Sequence, residues 1–153
     1  MRLLLTSWLP VLVWMAVIFS ASSDSQSSRR TSRLIGPLLR WLLPGIADET
    51  VNRVQFIVRK GAHVTEFAVL AALLWRACRA TARDESRPWR GREAAFALGL
   101  ATLYAASDEI HQSFVPAREA RAADVLWDTG GAALGLFAVG RWQRRRVPRL
   151  VPP

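Results

Sequence analysis

The chain contains two histidines, and each stands beside carboxylates in otherwise apolar surroundings. Lys60-x-x-His63-x-x-Glu66-Phe67 forms one group, Ser107-Asp108-Glu109-Ile110-His111-Gln112 with Arg118 a second, and Asp124-x-x-x-Asp128 a third. An imidazole oriented by a carboxylate serves as a general acid or base near neutral pH, which makes His63, His111 and Asp108 the catalytic candidates. Lys60 and Arg118 are suited to a phosphate or carboxylate, the guanidinium in bidentate fashion. No Ser or Cys sits in a recognisable nucleophile motif, so the residues lean against an enzyme.

A metal site would have to draw on these histidines and carboxylates, because Cys78 is the only cysteine and no thiolate pair can form. Neither His63-x-x-Glu66 nor Asp108-x-x-His111 has the H-E-x-x-H spacing of a zinc helix. No metal and no cofactor is expected.

The segments that must position these residues are apolar. Residues 3–21 carry no charge and are long enough to cross a hydrocarbon core, with Pro10 as a candidate kink. A cleaved signal peptide is the rival reading, but the apolar run exceeds what one needs. Further spans are expected at about 54–76, 94–113 and 123–141, giving an all-α integral membrane bundle of about four transmembrane helices in a single domain, 1–153. Residues 22–32 are polar and read as a loop. The apolar segment 34–46 is interrupted by Gly36, Pro37, Arg40 and Pro44, too short to span, and with Trp41 beside Arg40 it suits a helix lying in the headgroup layer, a packed loop being the equal alternative. A soluble bundle is the alternative, since mean hydropathy is only +0.13.

Lys and Arg number 21 against 12 Asp and Glu, for a net charge of +9. Such a balance raises the question of nucleic acid, yet the cations flank the apolar runs, at Arg76 to Arg92 and Arg141 to Arg149, as bilayer proteins place them. With four spans, the amino terminus, the 76–92 linker and the carboxy tail share one side and hold twelve Arg, against seven on the other, or nine if Arg59 and Lys60 are counted there. The positive-inside rule then puts both termini in the cytoplasm.

Ionisable groups inside a bilayer cost about 2.5–3.5 kcal/mol each at the centre of a helix, so they must pair, line a cavity or sit near an end. At roughly 100° per residue, Lys60, His63 and Phe67 share a face; so do Tyr104, Asp108, His111 and Gln112, with Glu109 pointing elsewhere; and so do Asp124, Asp128, Gly131 and Gly135. The last stripe is a small-xxx-small surface on which a neighbouring helix can approach closely, within the chain or from a second copy. Following the chain from a cytoplasmic start, all three polar groups arrive near the extracytoplasmic face.

Lys60-x-x-His63-x-x-Glu66-Phe67, then the run Ser107 to Arg118, then Asp124-Val-Leu-Trp-Asp128-x-x-Gly131, resembles the VanZ-like membrane proteins, the family of an accessory teicoplanin-resistance protein. The matching blocks cover about residues 56–136. Ala117 stands where a Gly is common before the Arg, and Asp128 where Asn is frequent. The resemblance implies a small multi-helix protein of the bacterial inner membrane, with a link to glycopeptide resistance for some members, and supplies no reaction.

Four readings of the polar cluster Lys60, His63, Glu66, Asp108, Glu109, His111, Gln112, Arg118, Asp124 and Asp128 stay open. It binds or acts on an envelope amphiphile, such as a lipid-linked wall precursor or a lipoglycopeptide. It holds a metal. It is a structural network that fixes helix packing. It is a proton or ion path, although no internal repeat of the transporter kind is visible. Membrane lipids are the expected surroundings, an oligomer through the Gly131/Gly135 face is one arrangement, and no nucleic-acid partner is expected.

Overall fold

The computed structural model describes residues 2–23, 27–82, 89, 91–115 and 121–146. Among them are five helices and no strand: α1 (Arg2–Ser23), α2 (Ser27–Leu42), α3 (Asp48–Thr81), α4 (Gly91–Ser113) and α5 (Ala122–Arg146). The all-α bundle expected from hydropathy is present. Its exterior is apolar: Leu5, Leu9, Leu12 and Val13 on α1, Phe96, Leu103 and Ile110 on α4, and Leu126, Leu134 and Phe137 on α5 are all more than half exposed. Its interior holds Asp108, Glu109, Gln112 and Asp128. This inverts the soluble arrangement, in which charge faces outward, and it is the distribution a hydrocarbon solvent selects.

Among the described residues two helices are apolar and long enough to cross a membrane by composition, Leu5–Ser23 and Ala122–Arg145, where four were expected. The physical reason lies in their packing. α3 is the central helix, contacting each of the other four, and it buries Phe67, Leu70, Ala71, Leu74 and Trp75 against them. It therefore needs little lipid-compatible surface of its own. α4 turns Ala94, Ala97, Ala101, Ala105 and Asp108 inward while Phe96, Leu103 and Ile110, spaced by seven, face out. Small and polar residues inside lower its mean hydropathy without removing its apolar outer stripe.

The contacts fix the helix directions. Met15 and Ser22 of α1 meet Tyr104 and Asp108 of α4 in the same order, so those two run parallel. Lys60 meets Asp124, and the Val64 and Ala68 backbones meet Gly131 and Gly135, so α3 and α5 are also parallel. Trp8 and Trp14 meet Thr81 and Glu66 in reversed order, which sets α1 antiparallel to α3. The bundle thus has two helices up and two down. These bonds also incorporate α1 into the bundle, with Val11 and Ile18 fully buried.

The helix expected at 34–46 is present as α2, but it begins earlier, at Ser27 within the segment expected to be a loop, runs through Gly36 and Pro37 and ends at Leu42. It forms an antiparallel hairpin with the first turns of α3. Gly36 lies against Gln55 and Val51, and Arg40 donates to Asp48 at 2.7 Å. Gly45, with φ of 94°, makes the turn, a conformation that costs glycine nothing. α3 itself starts at Asp48 and reaches Thr81, 34 residues or about 51 Å at 1.5 Å per residue. That exceeds a hydrocarbon core of roughly 30 Å, so its first turns and α2 extend past the end of the four-helix part. Pro10 lies inside a helix that remains continuous.

Candidate functional site

α3 and α5 pack backbone to backbone, and this closeness builds the site. A Cβ added at Gly131 would lie 2.8 Å from the Val64 Cα, and one at Gly135 would lie 2.7 Å from the Ala68 Cα, both inside van der Waals contact. The expected small-residue face is therefore used within the chain, and α3 fills the surface that an oligomer through Gly131 and Gly135 would require. One turn earlier on α3 and two turns earlier on α5, Lys60 Nζ lies 2.5 Å from Asp124 Oδ1. His63 Nδ1 lies 3.8 Å from Glu66 and 4.0 Å from Asp128.

α4 supplies the third side. Asp108 is 3% exposed, and its Oδ2 accepts hydrogen bonds from Ser22 Oγ at 2.8 Å and Gln112 Nε2 at 2.7 Å. Its other oxygen, Oδ1, is buried and accepts none from the described residues. A desolvated acceptor without a donor costs about 1–3 kcal/mol, and more when charged. Glu109 lies about 100° away around α4, yet it is also buried and accepts a bond from the backbone N–H of Arg121 at the start of α5. Asp108, Glu109, Asp124 and Lys60 all act electrostatically on Asp128. Glu109, which helical phase turned away from the α4 polar face, thus belongs to the group, because the α4–α5 connection brings α5 alongside it.

Of the residues singled out from sequence, Lys60, His63, Glu66, Asp108, Glu109, Gln112, Asp124 and Asp128 gather at one level of the bundle. His111 stands apart, at the edge. Its Nε2 is 3.0 Å from Ser23 Oγ, and its ring lies 4.3 Å from that of Phe19. Arg118 lies outside the described residues, as do Arg83, Arg87, Arg90 and Arg149 among the flanking cations. With the two histidines facing different partners, the described residues contain no group of three or more His, Cys, Asp or Glu arranged to hold a metal ion.

Sequence reasoning did not anticipate the contribution of α1. Ser22 and Ser23 reach Asp108 and His111, Trp14 Nε1 donates to the Glu66 carbonyl at 2.9 Å, and Tyr104 Oη donates to the Met15 carbonyl at 2.6 Å. Ser20 to Ser23 are all helical, and Ser22 is buried.

The arrangement is layered. Lys60, His63, Glu66 and Asp124 retain side-chain exposures of 20, 18, 25 and 23%, whereas Asp128 has 4%. A half-open rim therefore covers a buried floor of Asp108, Glu109 and Asp128. Exposed apolar side chains stand beside it, Ile110 on α4, Phe114 in the turn after α4 and Trp127 on α5. Such a site can exchange hydrogen bonds and charge with a polar group while apolar surface beside it meets hydrocarbon.

Fold and cluster together define a helical-bundle membrane protein with carboxylates and a lysine gathered at one end of its interior. The chain belongs to the VanZ/LLP1 family, whose model matches residues 7–143 and so takes in all five helices. No curated protein and no solved structure matches it.

Proposed function

We propose that this VanZ-family protein crosses the bacterial inner membrane four times, by α1, α3, α4 and α5, with both termini in the cytoplasm, and that its polar cluster binds the head group of an envelope amphiphile at the extracytoplasmic face. A lipid-linked wall precursor and a lipoglycopeptide antibiotic are the ligand classes, the second giving the link to glycopeptide resistance. The alternating helix directions and the outward apolar stripes of α1, α4 and α5 support four crossings. The excess of Arg at the opposite end of the bundle supports the orientation.

One observation carries the binding reading: polar residues from three helices converge under a rim that is partly open, beside exposed apolar side chains. A purely structural network has less reason to keep an open side. The second reading, in which the charges only fix packing, draws on the Lys60–Asp124 ion pair, which satisfies both partners inside the chain.

Native mass spectrometry of the detergent-purified chain tests the proposal. The wild-type protein is expected to retain an envelope-amphiphile adduct that is lost from Lys60→Ala, Asp128→Asn, Arg118→Ala or Asp124→Ala at normal protein level. Unchanged adduct and unchanged glycopeptide susceptibility in all four variants would overturn it.

A further inference from the structure

Apart from the polar cluster, and resting on the four-span reading alone, we infer that α2 docks on the anionic phospholipid of the extracytoplasmic leaflet. Its free face is the first argument. At about 100° per residue, Leu34, Leu38, Trp41 and Leu42 form one stripe, and Gly36, which lies against α3, is on the opposite side of the helix. All four stripe residues are more than half exposed. Leucine and tryptophan on one face of an arginine-rich helix are what an interfacial helix presents to lipid.

Position is the second argument. Val51 and Gln55, which meet Gly36, and Glu66, whose carbonyl accepts from Trp14, fall within roughly 60° around α3. α2 therefore follows α1 along one side of α3, and continues the exterior on which Leu9, Leu12, Val13 and Phe19 of α1 are exposed. Measured up α3 from Arg76, a hydrocarbon core of about 30 Å ends near Phe56. Gln55 and Val51 lie within about 8 Å beyond it, the depth of a headgroup layer. Leu34 and Leu38 flank Gly36 at this level. Trp41 and Leu42 come about a turn further out, a distance that the roughly 20° tilt usual for membrane helices narrows.

Charge selects the lipid. α2 holds four arginines and no Asp, Glu or Lys. Arg40 is committed to Asp48, whereas Arg33 is exposed and forms no ion pair with a described residue. Phosphatidylglycerol complements such a helix and a zwitterionic surface does not. A second copy of the chain would bring four more arginines against these.

The experiment places the full Cys78→Ser chain in vesicles of phosphatidylcholine, alone or mixed with phosphatidylglycerol. A nitroxide is carried on one cysteine, from Leu38→Cys on the stripe or Leu103→Cys on the outward face of α4. Paramagnetic resonance compares its collisions with oxygen, which concentrates in lipid, and with a nickel chelate, which stays in water. Phosphatidylglycerol is expected to lower nickel collisions at position 38 roughly threefold, an effect reversed by Arg33→Glu or high salt. The change of lipid needs no charge variant, so the test stays decisive where Arg33→Glu fails to fold. Nickel prevailing at 38 in both lipids would overturn the inference. So would spin–spin broadening there that vanishes on dilution with unlabelled chain, which would put a second copy on the stripe. Oxygen prevailing equally in both lipids would overturn the anionic partner. A label at 103 that meets nickel instead of oxygen would overturn the four spans, while a signal at 38 that depends on phosphatidylglycerol would still uphold the docking of α2.

Discussion

Ser22, in the last turn of α1, donates a hydrogen bond to Asp108 on α4 across 86 residues of sequence, and both side chains are buried. The bond ties the first helix to one of the two most enclosed carboxylates of the cluster. Ser22→Ala removes one of the two donors to Asp108 Oδ2 and is expected to destabilise the protein by about 1.5–3 kcal/mol, the range for hydrogen bonds to charged groups. Thermal unfolding in detergent measures it. A change within error would mean that α1 is not held at this point.

Lys60 and Asp124 are expected to behave as a coupled pair. Either alanine substitution leaves the other charge half-buried without its partner, while Lys60→Asp combined with Asp124→Lys restores the pair with reversed sense. A double-mutant cycle on unfolding should return a coupling of roughly 0.5–3 kcal/mol. Protein level without ligand binding in the swapped variant supports a site, and recovery of both supports a packing role.

Adjacent glycines in α5 should respond oppositely. Gly131→Ala forces a methyl group onto the Val64 backbone and is expected to cost about 1–3 kcal/mol or to prevent accumulation. Gly130→Ala meets nothing within 4 Å, and should be neutral or stabilising by up to about 1 kcal/mol through helix propensity. Comparing the two unfolding midpoints tests the α3–α5 register directly.

Topology is open to labelling. With Cys78→Ser removing the native thiol, single cysteines at Val115 and Ala82 are placed at opposite ends of the bundle. In intact cells an impermeant maleimide is expected to label position 115 and spare 82. The reverse pattern would put the cluster in the cytoplasm and remove the basis for an envelope ligand.

Much of this arrangement is legible in the residues. Helical phase alone groups Lys60 with His63, Asp108 with Gln112, and Asp124 with Asp128, because a fixed rotation per residue converts spacing into a face. It also identifies Gly131 and Gly135 as a contact surface. Phase does not say which neighbour fills that surface, and the structure shows α3 there. Glu109 and Ser22 were harder to assign, since their roles depend on how α5 and α1 sit against α4, a matter of tertiary packing. The extent of α2 was less legible, since the polar residues 22–32 read as a loop, whereas the helix starts at Ser27 and pairs with α3.

The hydropathy contrast among the helices bears on how the protein enters its membrane. On the four-span reading, the first and last helices are apolar enough to partition alone, while α3 and α4 fall short of that and α4 carries the buried Asp108 and Glu109. The synthesising ribosome therefore delivers the two reluctant helices before the final one that shelters them. α3 must wait at the insertion machinery, or against α1, until Asp124 arrives to meet Lys60. Biogenesis of this small protein is then a cooperative event governed by its carboxyl-terminal helix, and a chain stopped after α4 would be left for quality-control proteolysis.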